Sequence, residues 1–203
     1  MAAFQLFASP WWVNLVGLAP LVAFMAWRHG LRLSLRQLAY CAVFAIAFGF
    51  VEASVVVYLR AATGLLPGYE GTLADVQRQT ADLARQAELL RSFPRSLMTV
   101  ELFRETATML MLASVALAAA NRQRERWAVF FWCFAWWDIT YYAGLWATIR
   151  WPDSLLAPDV LFLIPEPWLG QVWFPISVSA LMLVAVAVRA LQPETGTVRY
   201  ATD

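Results

Sequence analysis

The sequence predicts an all-α polytopic membrane helix bundle with five transmembrane helices, an extracytoplasmic amphipathic helix and a proline-rich re-entrant or interfacial segment. Three observations predict it. Hydrophobic residues make up 61% of the chain and charged residues 14%, where an ordinary soluble domain carries about 25% charged residues. Mean hydropathy is +0.58. Five apolar stretches are long enough to cross a bilayer, which takes roughly 20 residues in a helix. The chain, 1–203, reads as a single transmembrane domain.

The stretches run over about 11–27, 38–59, 97–120, 127–149 and 169–191. The N-terminal MAAFQLFASPWW lacks the basic start and small-residue cleavage site of a secretory signal, so the first helix is expected to be retained. Arginine bias sets the orientation. Arg28, Arg32 and Arg36 follow the first stretch, and Arg122, Arg124 and Arg126 follow the third. Both loops are expected in the cytoplasm, which puts the N-terminus outside and the C-terminus, with Arg189 and Arg199, inside.

Between the second and third stretches, Leu73, Val76, Thr80, Leu83, Ala87 and Leu90 recur at spacings of three and four. This is one face of a helix over about 71–93, closed by Pro94 and expected to lie on the outer interface or to cap the bundle. Ahead of the last stretch, WPDSLLAPDVLFLIPEPW carries four prolines, which rule out one continuous helix. Trp151 and Trp168 at its ends, with Trp11, Trp12, Trp27 and Trp127, form an expected aromatic belt.

Composition also excludes chemistry. All fifteen basic residues are arginine, so no Schiff-base or P-loop lysine exists. The net charge of +1 offers no nucleic-acid-binding surface. Cys41 and Cys133 both lie in apolar stretches and read as buried residues, not a disulfide framework. His29 is the only histidine and lies in a cytoplasmic loop, so no haem or histidine zinc site is expected.

The informative feature is a set of ionisable residues inside the spans. Each costs about 2.5–3.5 kcal/mol on insertion scales and marks a functional site by default. Glu52 lies in the second span, Glu101, Arg104 and Glu105 in the third, and Asp138 in the fourth, followed by Tyr141 and Tyr142. Measured from Arg60, Arg95 and Arg150, helical rise places Glu52, Glu105 and Asp138 about 12, 15 and 18 Å below the outer surface, so they can meet. Glu101, Glu105 and Thr108 share one helix face. Asp159, hemmed in by apolar residues of the proline-rich segment, is a candidate to fold onto the same site; Asp153 and Glu166 read as surface carboxylates.

Four carboxylates and one guanidinium cannot all stay charged in lipid without protons or cations. Three readings follow. The first is an enzyme site with Glu52, Glu101, Arg104, Glu105, Asp138, Tyr141, Tyr142 and Asp159. It would work either by acid–base chemistry or through a divalent metal on Glu52, Glu101, Glu105 and Asp138, with a lipid-like or quinone-like ligand from the outer leaflet. The di-iron pattern of Glu with His three residues on fails, because Arg104 stands in the histidine's place. The second reading is a structural or accessory subunit in which Arg104 bridges Glu101, Glu52 and Asp138 and fixes helix packing. The third is a small proton- or cation-coupled transporter, against which stand the short chain and the lack of an internal repeat. A homo-oligomer or partner subunit is compatible with each.

Taken together, FVEASVVVYLR, VELFRETATML, WDITYY and WPDSLLAPDVLFLIPEPW resemble a family of small bacterial polytopic inner-membrane proteins with intramembrane Glu, Asp and Arg motifs and no established activity. The resemblance covers about residues 45–180. It implies a bacterial inner-membrane location and no mechanism.

Overall fold

A computed structural model of the chain describes residues 4–62, 72 and 95–192. Its described part is mostly helical. A 3-10 helix (Trp11–Leu18) runs into α1 (Ala19–Ala26), followed by α2 (Leu35–Ala62), α3 (Arg95–Ala119) and α4 (Gln123–Ile149). Two short strands, β1 (Pro158–Phe162) and β2 (Trp168–Gln171), precede α5 (Trp173–Leu191). The amphipathic helix expected over 71–93 lies outside the described residues, Thr72 apart.

Among the described residues, three helices are long and apolar enough to cross a membrane, over Leu35–Leu59, Leu97–Ala119 and Trp173–Leu191. The other two expected spans differ from these for separate reasons. Trp11–Ala26 is only 16 residues long, and half of it is 3-10 helix. A 3-10 helix rises ~2.0 Å per residue against ~1.5 Å in an α-helix, so the two halves reach roughly 28 Å, close to the ~30 Å hydrocarbon thickness. Pro20 suits the start of α1, where its missing N–H is not needed. The fourth stretch, α4, has 27 residues, but its tryptophans, tyrosines, Asp138 and the QRER start lower its hydropathy.

That helix is the centre of the bundle. It packs most extensively on α2, then on α5 and α3, while α2 and α3 touch each other little. Neighbours cover much of α4, which lets it carry polar side chains. The α2–α4 contact is close because both helices present glycine. A Cβ on Gly49 would sit 2.5 Å from the Trp137 carbonyl oxygen, and one on Gly144 would sit 2.9 Å from the Ala53 Cβ. Lipid tails are as apolar as a leucine, so helices in a bilayer associate by such close packing of small residues, not by hydrophobic burial. Cys41 and Cys133 lie in this interface as buried free thiols, with the Cys133 Sγ 3.8 Å from the Cys41 carbonyl oxygen.

The proline-rich segment is an antiparallel β-hairpin, a form that the proline count did not suggest. Pro158 opens β1, where a missing N–H is tolerated, and Pro165 and Pro167 lie in the connection. Leu169 and Gln171 therefore belong to β2, and the last helix starts at Trp173, later than the sequence suggested. The outer edge of β2 is closed by the N-terminal segment. Ser9 N–H donates to the Leu169 carbonyl at 2.8 Å, and Leu169 N–H returns the bond at 2.7 Å. An open edge in lipid would leave backbone groups unsatisfied, at several kcal/mol each. Trp151, expected at headgroup depth, is 2% exposed and packs against Tyr142, so it belongs to the core and not the belt.

Candidate functional site

The ionisable residues of the apolar stretches gather at the hairpin end of the bundle, in two linked groups. The first joins α2 to α3. Arg104 forms an ion pair with Glu52 through Nη1 and donates from Nε to Glu101 Oε2 at 2.8 Å. The second oxygen of Glu52 accepts from the Thr108 hydroxyl at 2.8 Å. Helical spacing explains the geometry. Glu101, Arg104 and Thr108 lie at i, i+3 and i+7, so one face of α3 meets Glu52. Both carboxylates are buried, and the Arg104 side chain is 23% exposed. Arg104 is therefore a counter-charge to two acids, and the group keeps a formal charge of about −1 when all three are ionised.

Glu105, one turn after Glu101, is also buried but turns to the hairpin. Its Oε2 accepts the Leu163 backbone N–H at 3.0 Å. This bond ties α3 to the β1–β2 connection. Its backbone partner has no sequence signature.

The second group joins α4, α5 and β1. Asp138 and Tyr142 are four residues apart and both buried. Asp138 Oδ2 accepts from the Ser179 hydroxyl of α5 at 2.8 Å. The Tyr142 hydroxyl donates to Asp159 Oδ2 at 2.9 Å. Asp159 is 3% exposed and lies within electrostatic reach of Asp138. Gln171, buried on β2, accepts the Gln5 N–H at 2.8 Å and closes the floor of the hairpin. Tyr141 stacks on Trp137, with centroids 6.3 Å apart, and meets the Tyr142 ring edge-on at 5.1 Å. It also lies within electrostatic reach of Arg104, which links the two groups.

Glu52, Glu101, Arg104 and Glu105 thus come together, as do Asp138, Tyr142 and Asp159, with Tyr141 between them. The single centre expected around helices two, three and four is divided, because Asp138 turns to Ser179 on α5. The divalent-metal set Glu52, Glu101, Glu105 and Asp138 is not assembled. Arg104 occupies oxygens of Glu52 and Glu101, the Leu163 N–H holds Glu105, and Ser179 holds Asp138. Among the described residues no three His, Cys, Asp or Glu side chains are placed to hold a metal ion.

Sequence reasoning missed Ser179 and Gln171, which carry no charge and look like ordinary span and loop residues. It also missed Glu125, which stands between the arginines of the loop after the third stretch. Glu125 is 5% exposed and accepts the Arg32 backbone N–H at 3.4 Å, at the opposite end of the bundle. No protein-family model, no curated protein and no solved structure matches this chain, so its function is argued from the geometry of the site itself.

Proposed function

We propose that this chain is a five-span protein of a bacterial inner membrane, acting as an acid–base enzyme on a lipid-like or quinone-like molecule that enters from the outer leaflet. The observation that carries the chemistry is the buried bond from the Tyr142 phenol to Asp159, with Asp138 close by. A phenol donating to a carboxylate is a proton relay. A ligand oxygen meeting the Tyr142 hydroxyl would exchange a proton with it while Asp159 holds or returns that proton. Asp138, held by Ser179, would be the second acid–base group, and Tyr141 a ring wall beside it. Arg104 is engaged by Glu52 and Glu101, so the ligand's head is neutral or cationic, not a phosphate.

Support for five spans and for the orientation comes from the two ends of the chain. Ser9 pairs with the hairpin, whereas the Leu31 N–H bonds the Arg189 carbonyl at 2.9 Å at the arginine-rich end. Both contacts support an odd number of crossings, and the arginine bias supports a cytoplasmic arginine-rich end.

The chemistry is tested by incubating the full chain in lipid nanodiscs with a total lipid and quinone extract, followed by mass spectrometry. Wild type is expected to consume a neutral polar-headed species that Tyr142→Phe and Asp138→Asn leave untouched while keeping their helical content. No consumption by wild type, or equal consumption by Tyr142→Phe, overturns it.

A second reading has its own observation. Arg104 cross-ties α2 to α3, which otherwise touch little. An accessory subunit would use its charges in this way. It predicts that a stoichiometric partner co-purifies and that Tyr142→Phe leaves function intact.

A further inference from the structure

At the arginine-rich end, far from the hairpin, a groove of about 470 Å³ runs between the first helical stretch and α4. Its walls are Leu15, Val22 and Trp27 on one side and Trp127 and Phe131 on the other, and Arg124 stands at its mouth. The wall from Leu15 to Ala26 is four residues of 3-10 helix followed by α1. At ~2.0 and ~1.5 Å per residue it is roughly 20 Å long, enough to cover the ~15 Å hydrocarbon depth of one leaflet. The mouth is cationic. Arg124 donates to the Ala26 and Gly30 carbonyls, at 3.5 and 3.3 Å, which fixes its guanidinium at the C-terminus of α1. Arg28, Arg122 and Arg126 share this end with it, and the acidic Glu125 is buried. Trp127 is 53% exposed, one turn from the α4 start, as an interfacial anchor would be.

We propose that this groove is a binding site for one anionic phospholipid of the leaflet at the arginine-rich end. One acyl chain lies along Leu15, Val22 and Phe131, and the headgroup phosphate lies at Arg124. The apolar length fits a chain from a single leaflet, and the cationic mouth complements a phosphate and not a zwitterionic head of zero net charge. The site needs the chain to sit in a membrane but is independent of any chemistry at Tyr142 and Asp159.

The test is native mass spectrometry of the full chain released from mixed micelles of phosphatidylglycerol and phosphatidylcholine. Wild type is expected to retain one phosphatidylglycerol, favoured about fivefold or more over phosphatidylcholine. Arg124→Gln should lose that preference, and Arg124→Lys should keep most of it. Val22→Trp, at a position 60% exposed, fills the groove without touching the core and should abolish retention of either lipid. Glycerol phosphate at millimolar concentration should not compete, because it lacks the chain; competition would show a phosphate site and not a lipid groove. Equal retention of the two lipids by wild type, unchanged retention in Val22→Trp, or a dimer that Val22→Trp disperses in place of lipid, overturns the proposal.

Discussion

Gly49 sets how closely α2 approaches α4. The atom that a methyl group there would strike, at 2.5 Å, is a main-chain oxygen, which cannot rotate away. Gly49→Ala is expected to destabilise the bundle by about 3 kcal/mol, the upper end of overpacking costs. Gly17→Ala is the control: its Cβ would meet Phe174 and Val178 at 3.8 and 3.9 Å, ordinary contact, so the change should stay within about 0.5 kcal/mol. Thermal denaturation in one detergent compares them. Equal losses would show that the close approach is not tight. Arg104 makes a different prediction. Arg104→Gln leaves Glu52 and Glu101 buried without their cation and should cost about 3–5 kcal/mol. Adding Glu52→Gln removes one of the two stranded charges and should recover part of that loss. A double variant no more stable than the single one would sink the cross-tie. At this scale the charges themselves were legible, because an ionisable residue in an apolar run is conspicuous. Their partners were not. Ser179, the Leu163 N–H and Gln171 are ordinary groups whose importance comes only from position.

The β-hairpin is the element least visible beforehand. Prolines in WPDSLLAPDVLFLIPEPW exclude a long helix, but they do not distinguish a re-entrant loop from a hairpin with proline at its start and in its turn. The strands form because Ser9 satisfies one edge and the bundle covers the floor, and both contacts come from distant sequence. Side-chain bonds then hold the hairpin down, among them Tyr142 to Asp159 and the Leu163 N–H to Glu105. Tyr142→Phe removes the phenol's bond to the buried Asp159, at about 1–3 kcal/mol. The expected result in hydrogen exchange is faster exchange over 158–162, with 123–135 of α4 unchanged. Uniform loss of protection would mean that the bond supports the whole bundle and not the hairpin. The 3-10 start of the first stretch is a second such element. Its apolar run was readable, but nothing in its spacing distinguishes 3-10 from α-helical turns.

For the whole molecule, the prediction concerns α4. Its hydropathy is modest, yet as the central helix it should cross the membrane with its neighbours. Cysteines introduced by Gln123→Cys and Ser154→Cys flank it, and the native Cys41 and Cys133 are buried and should not react. An impermeant maleimide applied to intact cells or spheroplasts is expected to label Ser154→Cys alone, and Gln123→Cys only after the membrane is opened. Labelling of both from outside would overturn the five-span arrangement.

Sequence by itself determined long apolar helices with ionisable residues inside them, because hydropathy and helical spacing are local properties that composition and spacing carry directly. Tertiary structure decided how those charges are shared. Whether Asp138 faces Arg104 or Ser179 depends on how α4 is turned among its neighbours, and the glycine contacts that hold it against α2 lie beside the charges, at Trp137 next to Asp138 and at Ala53 next to Glu52. The division of one expected acidic centre into an arginine-bridged tie and a tyrosine–aspartate pair is therefore a packing outcome, invisible to any reading of one helix at a time.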